Sequence, residues 1–351
     1  MRINLLLLIS LLIGMTSCST SSKNIENPTL ATSTLIERVA FGSCMLDEAP
    51  QEFWKPLLAH KPQLMLLGGD NVYFNSKDYQ DMKRSYQNLG KNSNFNHALG
   101  QLPIHAVWDD NDYGAGDGGG DNPMKEDAKQ AFLARFPLPA TSPVYSRDGI
   151  YRSYSYGPAN QRVQIILLDT RFFRSPLNRT KKKDRRPGFE RYTPDTKNRD
   201  KTMLGAKQWR WLEKKLQQPA KLRLIVTSIQ FLATGHGWEK WGNLPYERER
   251  MFKLIAKTGA QGVIFLSGDR HIASFYRQKY PQIDYPIYDI TSSGLTHISS
   301  FGDEAATYRM GKIITTKNFG ILSIDWDKKE VKAAIHNAIN GQVIRVEKIR
   351  F

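Results

Sequence analysis

Short apolar runs separated by polar, periodic stretches dominate the pattern of this chain. Arg38 to Phe41, Leu64 to Leu67, Ile104 to Val107, Arg162 to Leu168, Leu222 to Ser228 and Val263 to Leu266 read as buried strands. Between them, Glu52 to His60, Asp78 to Leu89, Lys125 to Phe136, Leu204 to Leu216 and Glu247 to Lys257 read as helices. Pro123 after Asn122 marks a helix start. Leu204, Trp211, Leu212 and Leu216 fall at helical spacing and form a core-facing stripe. Tyr288 to Ser292 is a further strand. Gly320 to Trp326, Val331 to Asn337 and Val343 to Phe351 alternate and are joined by the polar turns Asp327-Lys328-Lys329 and Asn340-Gly341, the pattern of an antiparallel meander. Strand–helix alternation followed by a meander predicts the α/β class, a mixed β-sandwich flanked by helices.

Four of the strands end in residues that ligate metals. Gly42-Ser43-Cys44 follows the first. Gly68-Gly69-Asp70-Asn71-Val72-Tyr73 follows the second, Trp108-Asp109-Asp110-Asn111-Asp112 the third, and Gly268-Asp269-Arg270-His271 the Val263 run. Their recurrence predicts ligands converging at the carboxyl edge of one sheet, where open α/β sheets place their sites. Oxygen, imidazole and thiolate donors together fit a di- or trinuclear metal centre, and such centres activate water against phosphate esters. Each segment also has a plainer reading. Asp70 can cap a turn on which Tyr73 packs, Asp109 to Asp112 can be a solvated acidic loop, and Cys44 can be a core thiol. Asp269 and His271, two apart, point the same way if the chain stays extended.

Composition adds a destination and a charge. Arg2 precedes the apolar run Leu5 to Ile13, too short for a spanning helix and suited to an export signal. Met15-Thr16-Ser17-Cys18 resembles a bacterial lipobox, in which the Cys carries lipid; the alternative is an ordinary secretory signal. The expected organisation is a lipoprotein-type signal over 1–17, a polar tether over 18–34 and one domain over 35–351. With Cys18 lipidated, Cys44 is the only remaining thiol, so it has no intramolecular disulfide partner. The net charge of +16 favours anionic substrates, lipids or polymers. Aromatic and basic residues do not interleave as in a nucleic-acid module, so no specific nucleic-acid partner is expected. The basic run Lys181-Lys182-Lys183 and Arg185-Arg186 reads as a solvated loop.

Together, the four strand-end segments, Leu168-Asp169-Thr170-Arg171-Phe172-Phe173-Arg174 and Gly235-His236-Gly237-Trp238-Glu239 resemble the ordered signature of the alkaline phosphatase D (PhoD-like) family. The resemblance covers nearly all of residues 35–351. It implies a calcineurin-like sandwich and a phosphomonoesterase or phosphodiesterase using iron and calcium. It also implies Cys44, Asp70, Tyr73, Asp110, Asp269 and His271 as metal ligands, with Cys44 and Tyr73 on the iron. Two positions depart from the family's usual residues. Asn111 stands where the family has His, and Gly116-Asp117 stands where it has Asn-Asp. Asn111 cannot donate a proton as an acid, but it can hydrogen-bond a phosphate oxygen. Arg171 or His236 is then expected to bind the phosphoryl group. The reading that follows is a monomeric, exported, lipid-anchored phosphoesterase of the cell envelope. The alternative is a catalytically weakened metal-binding protein that binds anionic polymers or lipids.

Overall fold

The computed structural model describes residues 27–74, 78–184, 191–300 and 304–351; the export segment, Cys18, the first part of the tether and Arg185-Arg186 lie outside them. In chain order the described elements are β1 (Arg38–Gly42), α1 (Trp54–Ala59), β2 (Leu64–Gly68), α2 (Tyr79–Lys91), α3 (Ser93–Leu99), β3 (Ile104–Val107), α4 (Asp110–Tyr113), α5 (Lys125–Arg135), β4 (Arg152–Tyr156) and β5 (Val163–Leu167). They continue as α6 (Gly205–Leu216), β6 (Leu222–Val226), α7 (Pro245–Thr258), β7 (Val263–Ser267), β8 (Ala273–Gln278), β9 (Ile287–Ser292), β10 (Asn318–Asp325), β11 (Glu330–Asn337) and β12 (Val343–Arg350).

The strands form two six-stranded mixed sheets, ordered β12-β11-β10-β1-β2-β3 and β4-β5-β6-β7-β9-β8. Within them β1, β2 and β3 run parallel, as do β5, β6, β7 and β9. Period-2 alternation explains why the runs are apolar throughout. Leu222, Leu224 and Val226 of β6 and Ile264 and Leu266 of β7 face the core between the sheets. Ile225, Val263 and Phe265 turn outward and meet Trp209 and Leu212 of α6 and Phe252 and Ile255 of α7. The ends of α7 follow its sequence, with Pro245 in the first turn and Gly259 in the left-handed conformation at the stop. The meander appears as β10, β11 and β12, paired antiparallel with a register shift at Ile335/His336. No helix among the described residues is long and apolar enough to cross a membrane.

Three elements besides the short helix α4 were not anticipated. In α3, polar residues obscure the helix, and Asn92 caps it by accepting from the Phe95 N–H. The strands β4 and β8 are edge strands of the second sheet, too mixed in character to stand out.

At the seam between sheet edges, the His105 ring of β3 stacks on Tyr154 of β4 at 3.8 Å. Its Nε2 lies 2.9 Å from the Tyr156 hydroxyl. Arg152 Nη2 donates to the Ala106 carbonyl across the same seam at 2.6 Å. Burial, and secondarily Arg152, lowers the His105 pKa to about 3. The unfolded chain therefore takes up a proton first as pH falls. This contribution to stability is intact above about pH 6.5 and declines by about 1.4 kcal/mol per unit below it. Urea melts at pH 7.5 and 5 should show wild type losing about 1–2 kcal/mol more than His105→Gln; equal losses would contradict a His105 held neutral in the seam.

Candidate metal centre

The expected ligands leave their strands at the carboxyl ends of β1, β2, β3 and β7. Three of these strands belong to one sheet and β7 to the other, so the centre bridges the two sheet edges and not the edge of one sheet. Cys44, Asp70, Asp269 and His271 all have positive φ, at 63°, 51°, 69° and 54°. Asp269 and His271 therefore do not converge along an extended strand; the backbone turns at each. A non-glycine residue in this region costs about 1–3 kcal/mol and persists where the surroundings over-determine it, commonly at functional sites. Two glycines permit the close approach. A Cβ on Gly69 would stand 2.6 Å from Asp109 Cβ, and one on Gly268 would stand 2.4 Å from Ser43 Oγ.

Two donor clusters result, and Asp70 belongs to both. Cys44, Asp70 and His271 place one ligand atom each within 4.8 Å of one another, as do Asp70, Asp109 and Asp110. The Tyr73 hydroxyl lies 3.0 Å from Asp70 Oδ2 and 3.2 Å from His271 Nε2, so it joins the first cluster. Cys44 Sγ is 3.6 Å from Asp70 Oδ2 and 3.0 Å from Ser293 Oγ. Asp269 lines the same cleft, a cavity of about 410 Å³ that also exposes Asp110, Asn111, Arg270 and Trp238. Asn111 donates from its backbone to Asp70 Oδ1 and from Nδ2 to Asp70 Oδ2, both at 3.2 Å, and to Asp110 Oδ1 at 3.1 Å.

The neighbouring acids are held from behind. Asp112 is buried and not part of a solvated loop; its carboxylate accepts the backbone N–H groups of Asp70 (3.3 Å), Asn71 (3.0 Å) and Asp109 (2.5 Å), fixing the turn α4 under the cluster. Arg171 is fully buried. Its Nε donates to Asp109 Oδ1 at 2.7 Å, and Nη2 lies 2.6 Å from both Asp109 and Glu239. Arg174 meets the other Glu239 oxygen at 2.7 Å. The Arg171 guanidinium is thus turned to protein carboxylates and not to the open cleft. His236 is also buried away from it, with Nε2 2.9 Å from Gln230 Oε1 and Nδ1 accepting from the Trp238 N–H. The Asp117 carboxylate is taken by Arg191 at 2.7 Å and Tyr192 at 2.9 Å, while its N–H donates to Asp110 Oδ2 at 2.8 Å.

Electrostatics tests whether these residues suit cations. Burial, then the neighbouring carboxylates, pushes Asp70 and Asp269 well above the usual carboxylate range. Burial raises Asp109 to about 8 and Asp112 to about 7. The Cys44 thiol and Tyr73 phenol are raised by burial and then by Asp70. Asp109 Oδ2 is buried without a hydrogen-bond partner. Crowded, buried anions with an orphaned oxygen need compensating positive charge, so the donor set fits metal ions. Thiolate, phenolate and imidazole on one side suit a transition metal; three carboxylates on the other suit a hard cation.

Sequence reasoning overlooked Asp109, His297, Arg191, Trp238 and Arg270. His297 Nε2 lies 3.2 Å from His271 Nε2 and its ring centroid 5.0 Å from that of Tyr73. Its signal was available, since Ser292-Ser293-Gly294 closes β9 much as Gly-Ser and Gly-Gly close the ligand-bearing strands.

A family model described as PhoD-like phosphatase matches residues 57–334. Alkaline phosphatase D of Bacillus subtilis (strain 168) is 24% identical over an alignment of 213 residues that covers 55% of this chain and 35% of that protein, so the chain spans about a third of the length of this curated relative. A solved structure of PhoD superposes with a TM-score of 0.69 at 17% identity, covering 92% of this chain and 74% of that one. A dimetal phosphatase from Danio rerio gives 0.53 at 10% identity, covering 91% and 100%. These structural likenesses concern the metallophosphatase-type fold. The family model spans well over half of the chain and includes the ends of β2, β3 and β7, from which both donor clusters draw: the chain belongs to the PhoD-like phosphatase family.

Proposed function

We propose that this chain is a metal-dependent phosphoesterase of the cell envelope, exported by its N-terminal segment and anchored through lipid on Cys18. The observation that carries the catalytic part is Asp70, which serves two donor clusters of different chemistry at the floor of one cleft. In this reading Cys44, Asp70, Tyr73 and His271 would hold iron, and Asp70, Asp109 and Asp110 would hold calcium, with Asp269 beside them. When bound, the ions supply Lewis acidity toward the phosphoryl oxygens and activate water. The protein groups do the rest. Asn111 holds Asp70 and Asp110 in register and presents an amide to a phosphoryl oxygen. It delivers no proton, so the leaving group departs unassisted from this position, a loss typically of about 10²–10⁴-fold for poor leaving groups. Arg171 holds Asp109. The charge of +16 draws the anionic ester toward the monomer.

Turnover of chromogenic phosphate esters with and without chelator tests the reading. Metal binding without turnover of any ester would favour the alternative, a metal-dependent anion-binding protein, which the absence of an acid at Asn111 motivates. The iron assignment has its own signature. Thiolate or phenolate on Fe(III) absorbs visible light, whereas calcium does not. The metal-loaded protein should be coloured, and Cys44→Ser and Tyr73→Phe should each shift or remove the band. An active, fully metallated, colourless protein would eliminate iron.

A further inference from the structure

The arginine between two of the proposed ligands has no role so far. Arg270 follows Asp269 at the end of β7 and lines the cleft, with 8% of its surface exposed. Buried guanidinium donors are normally hydrogen-bonded. Here Nε is buried without a hydrogen-bond partner. The ion pair to Glu304 Oε2 is 3.7 Å long, beyond hydrogen-bond distance. Glu304 is shared besides. It accepts the Tyr276 hydroxyl at 2.5 Å and stands 3.7 Å from Arg309, so one carboxylate faces two guanidinium groups. Arg171, whose Nη2 also lacks a hydrogen bond, differs in charge compensation: carboxylate oxygens stand 2.6 Å from it on both sides. The Trp238 ring, 5.4 Å from Arg270 Cζ, borders the side chain, and Arg191 lies 4.6 Å from the same ring while tied to Asp117. Arg270 is therefore an under-compensated cation lining the metal cleft, with its Nε buried and unpartnered.

We propose that Arg270 binds the non-bridging phosphoryl oxygens of the substrate, and that this contact makes the cleft prefer dianionic phosphomonoesters to monoanionic diesters. The inference rests on the phosphoesterase reading. A monoester presents three non-bridging oxygens and a second negative charge; a diester presents two oxygens and one charge. A guanidinium fork takes two oxygens at once. In phosphoryl transfer the negative charge stays on those oxygens in the transition state, so the contact persists there. Trp238 and Glu304 act through Arg270 as positioning residues.

The test compares wild type, Arg270→Gln and Arg270→Lys, with metal content and circular dichroism verified for each. The substrates are 4-nitrophenyl phosphate and bis(4-nitrophenyl) phosphate, which share a leaving group. Binding of inorganic phosphate is titrated calorimetrically as a readout independent of turnover. Arg270→Gln should lower kcat/KM for the monoester by roughly 10²-fold and for the diester by less than about 10-fold, and weaken phosphate binding roughly 10–10²-fold, as expected for losing a charge-assisted pair of hydrogen bonds. Arg270→Lys, which keeps the charge without the fork, should recover part of the monoester rate. Equal losses on both esters, or unchanged phosphate affinity, would overturn the proposal while leaving the phosphoesterase reading standing. If wild type hydrolyses neither ester, that reading fails, and the phosphate titration still decides the role of Arg270. If Arg270→Gln loses fold or metal, Arg270→Lys carries the test: an unchanged monoester-to-diester ratio and phosphate affinity would overturn it.

Discussion

Replacing Asp70 with Asn should change stability in opposite directions with and without metal. In the proposed metal-loaded protein, Asp70 would supply an oxygen to both clusters. The amide would remove a charge from each, so both metal stoichiometry and turnover should fall, turnover by more than about 10²-fold, with Tm lowered by the lost binding energy. In the stripped protein the sign reverses. The Asp70 carboxyl is raised by burial and by Asp110, Asp109, Asp112 and Asp269. Its favourable contribution is complete below the unfolded pKa, near 4, and is lost as pH rises through the raised folded value, because the unfolded chain gives up its proton first. At pH 8, chelated wild type bears the cost of keeping this carboxyl protonated or of burying its charge, and the variant bears neither. Removing a buried unpaired charge is worth roughly 1–3 kcal/mol, so chelated Asp70→Asn should melt about 3–8 °C above chelated wild type at pH 8, with a smaller gap at pH 5. Melting curves at both pH values, with metal and with chelator, complete the test. A variant that melts lower than wild type in chelator at pH 8 would show that Asp70 is held by hydrogen bonds and not by cations.

How much of this centre could be read from the chain depends on what each residue needed to reveal itself. The segments that carry Cys44, Asp70, Tyr73, Asp110, Asp269 and His271 were visible as polar breaks after apolar runs, a local pattern, while their selection as ligands came from the family resemblance. The meander was visible for the same reason, as alternation with polar turns. Asp109 was harder. Neighbouring aspartates on one tight turn differ only in direction, and direction is set by Arg171, 62 residues away in sequence. The split of the ligand-bearing strands between two sheets was likewise hidden, because strand order follows from long-range pairing such as β1 with β10, which no local period encodes. The left-handed turns at Asp269 and His271 contradict the extended geometry expected from their spacing, since nothing in an Asp-Arg-His triplet specifies positive φ.

Arg171 shows the same limit and yields the second large expected effect. A basic residue just after a buried strand in a phosphatase-like chain reads as a phosphate clamp. In the structure its guanidinium is sealed between Asp109 and Glu239, with Nη1 on the Gly118 carbonyl at 3.2 Å. Arg171→Met would leave two buried carboxylates facing an apolar side chain. Breaking a buried pair in this way typically costs about 3–5 kcal/mol, which corresponds to a Tm lower by roughly 6–15 °C. Metal should soften the loss, because Asp109 regains a cation from the ions it shares with Asp70 and Asp110. The drop in Tm is therefore expected to be larger in chelator than with metal, and the variant's metal affinity weaker than that of wild type. A clamp predicts something else: a raised KM, weaker phosphate binding and an unchanged Tm. Thermal melts in chelator and in metal, set beside KM for one chromogenic ester, separate the two. An unchanged Tm with a raised KM would return Arg171 to the substrate and leave Asp109 without the support that the structure assigns to it.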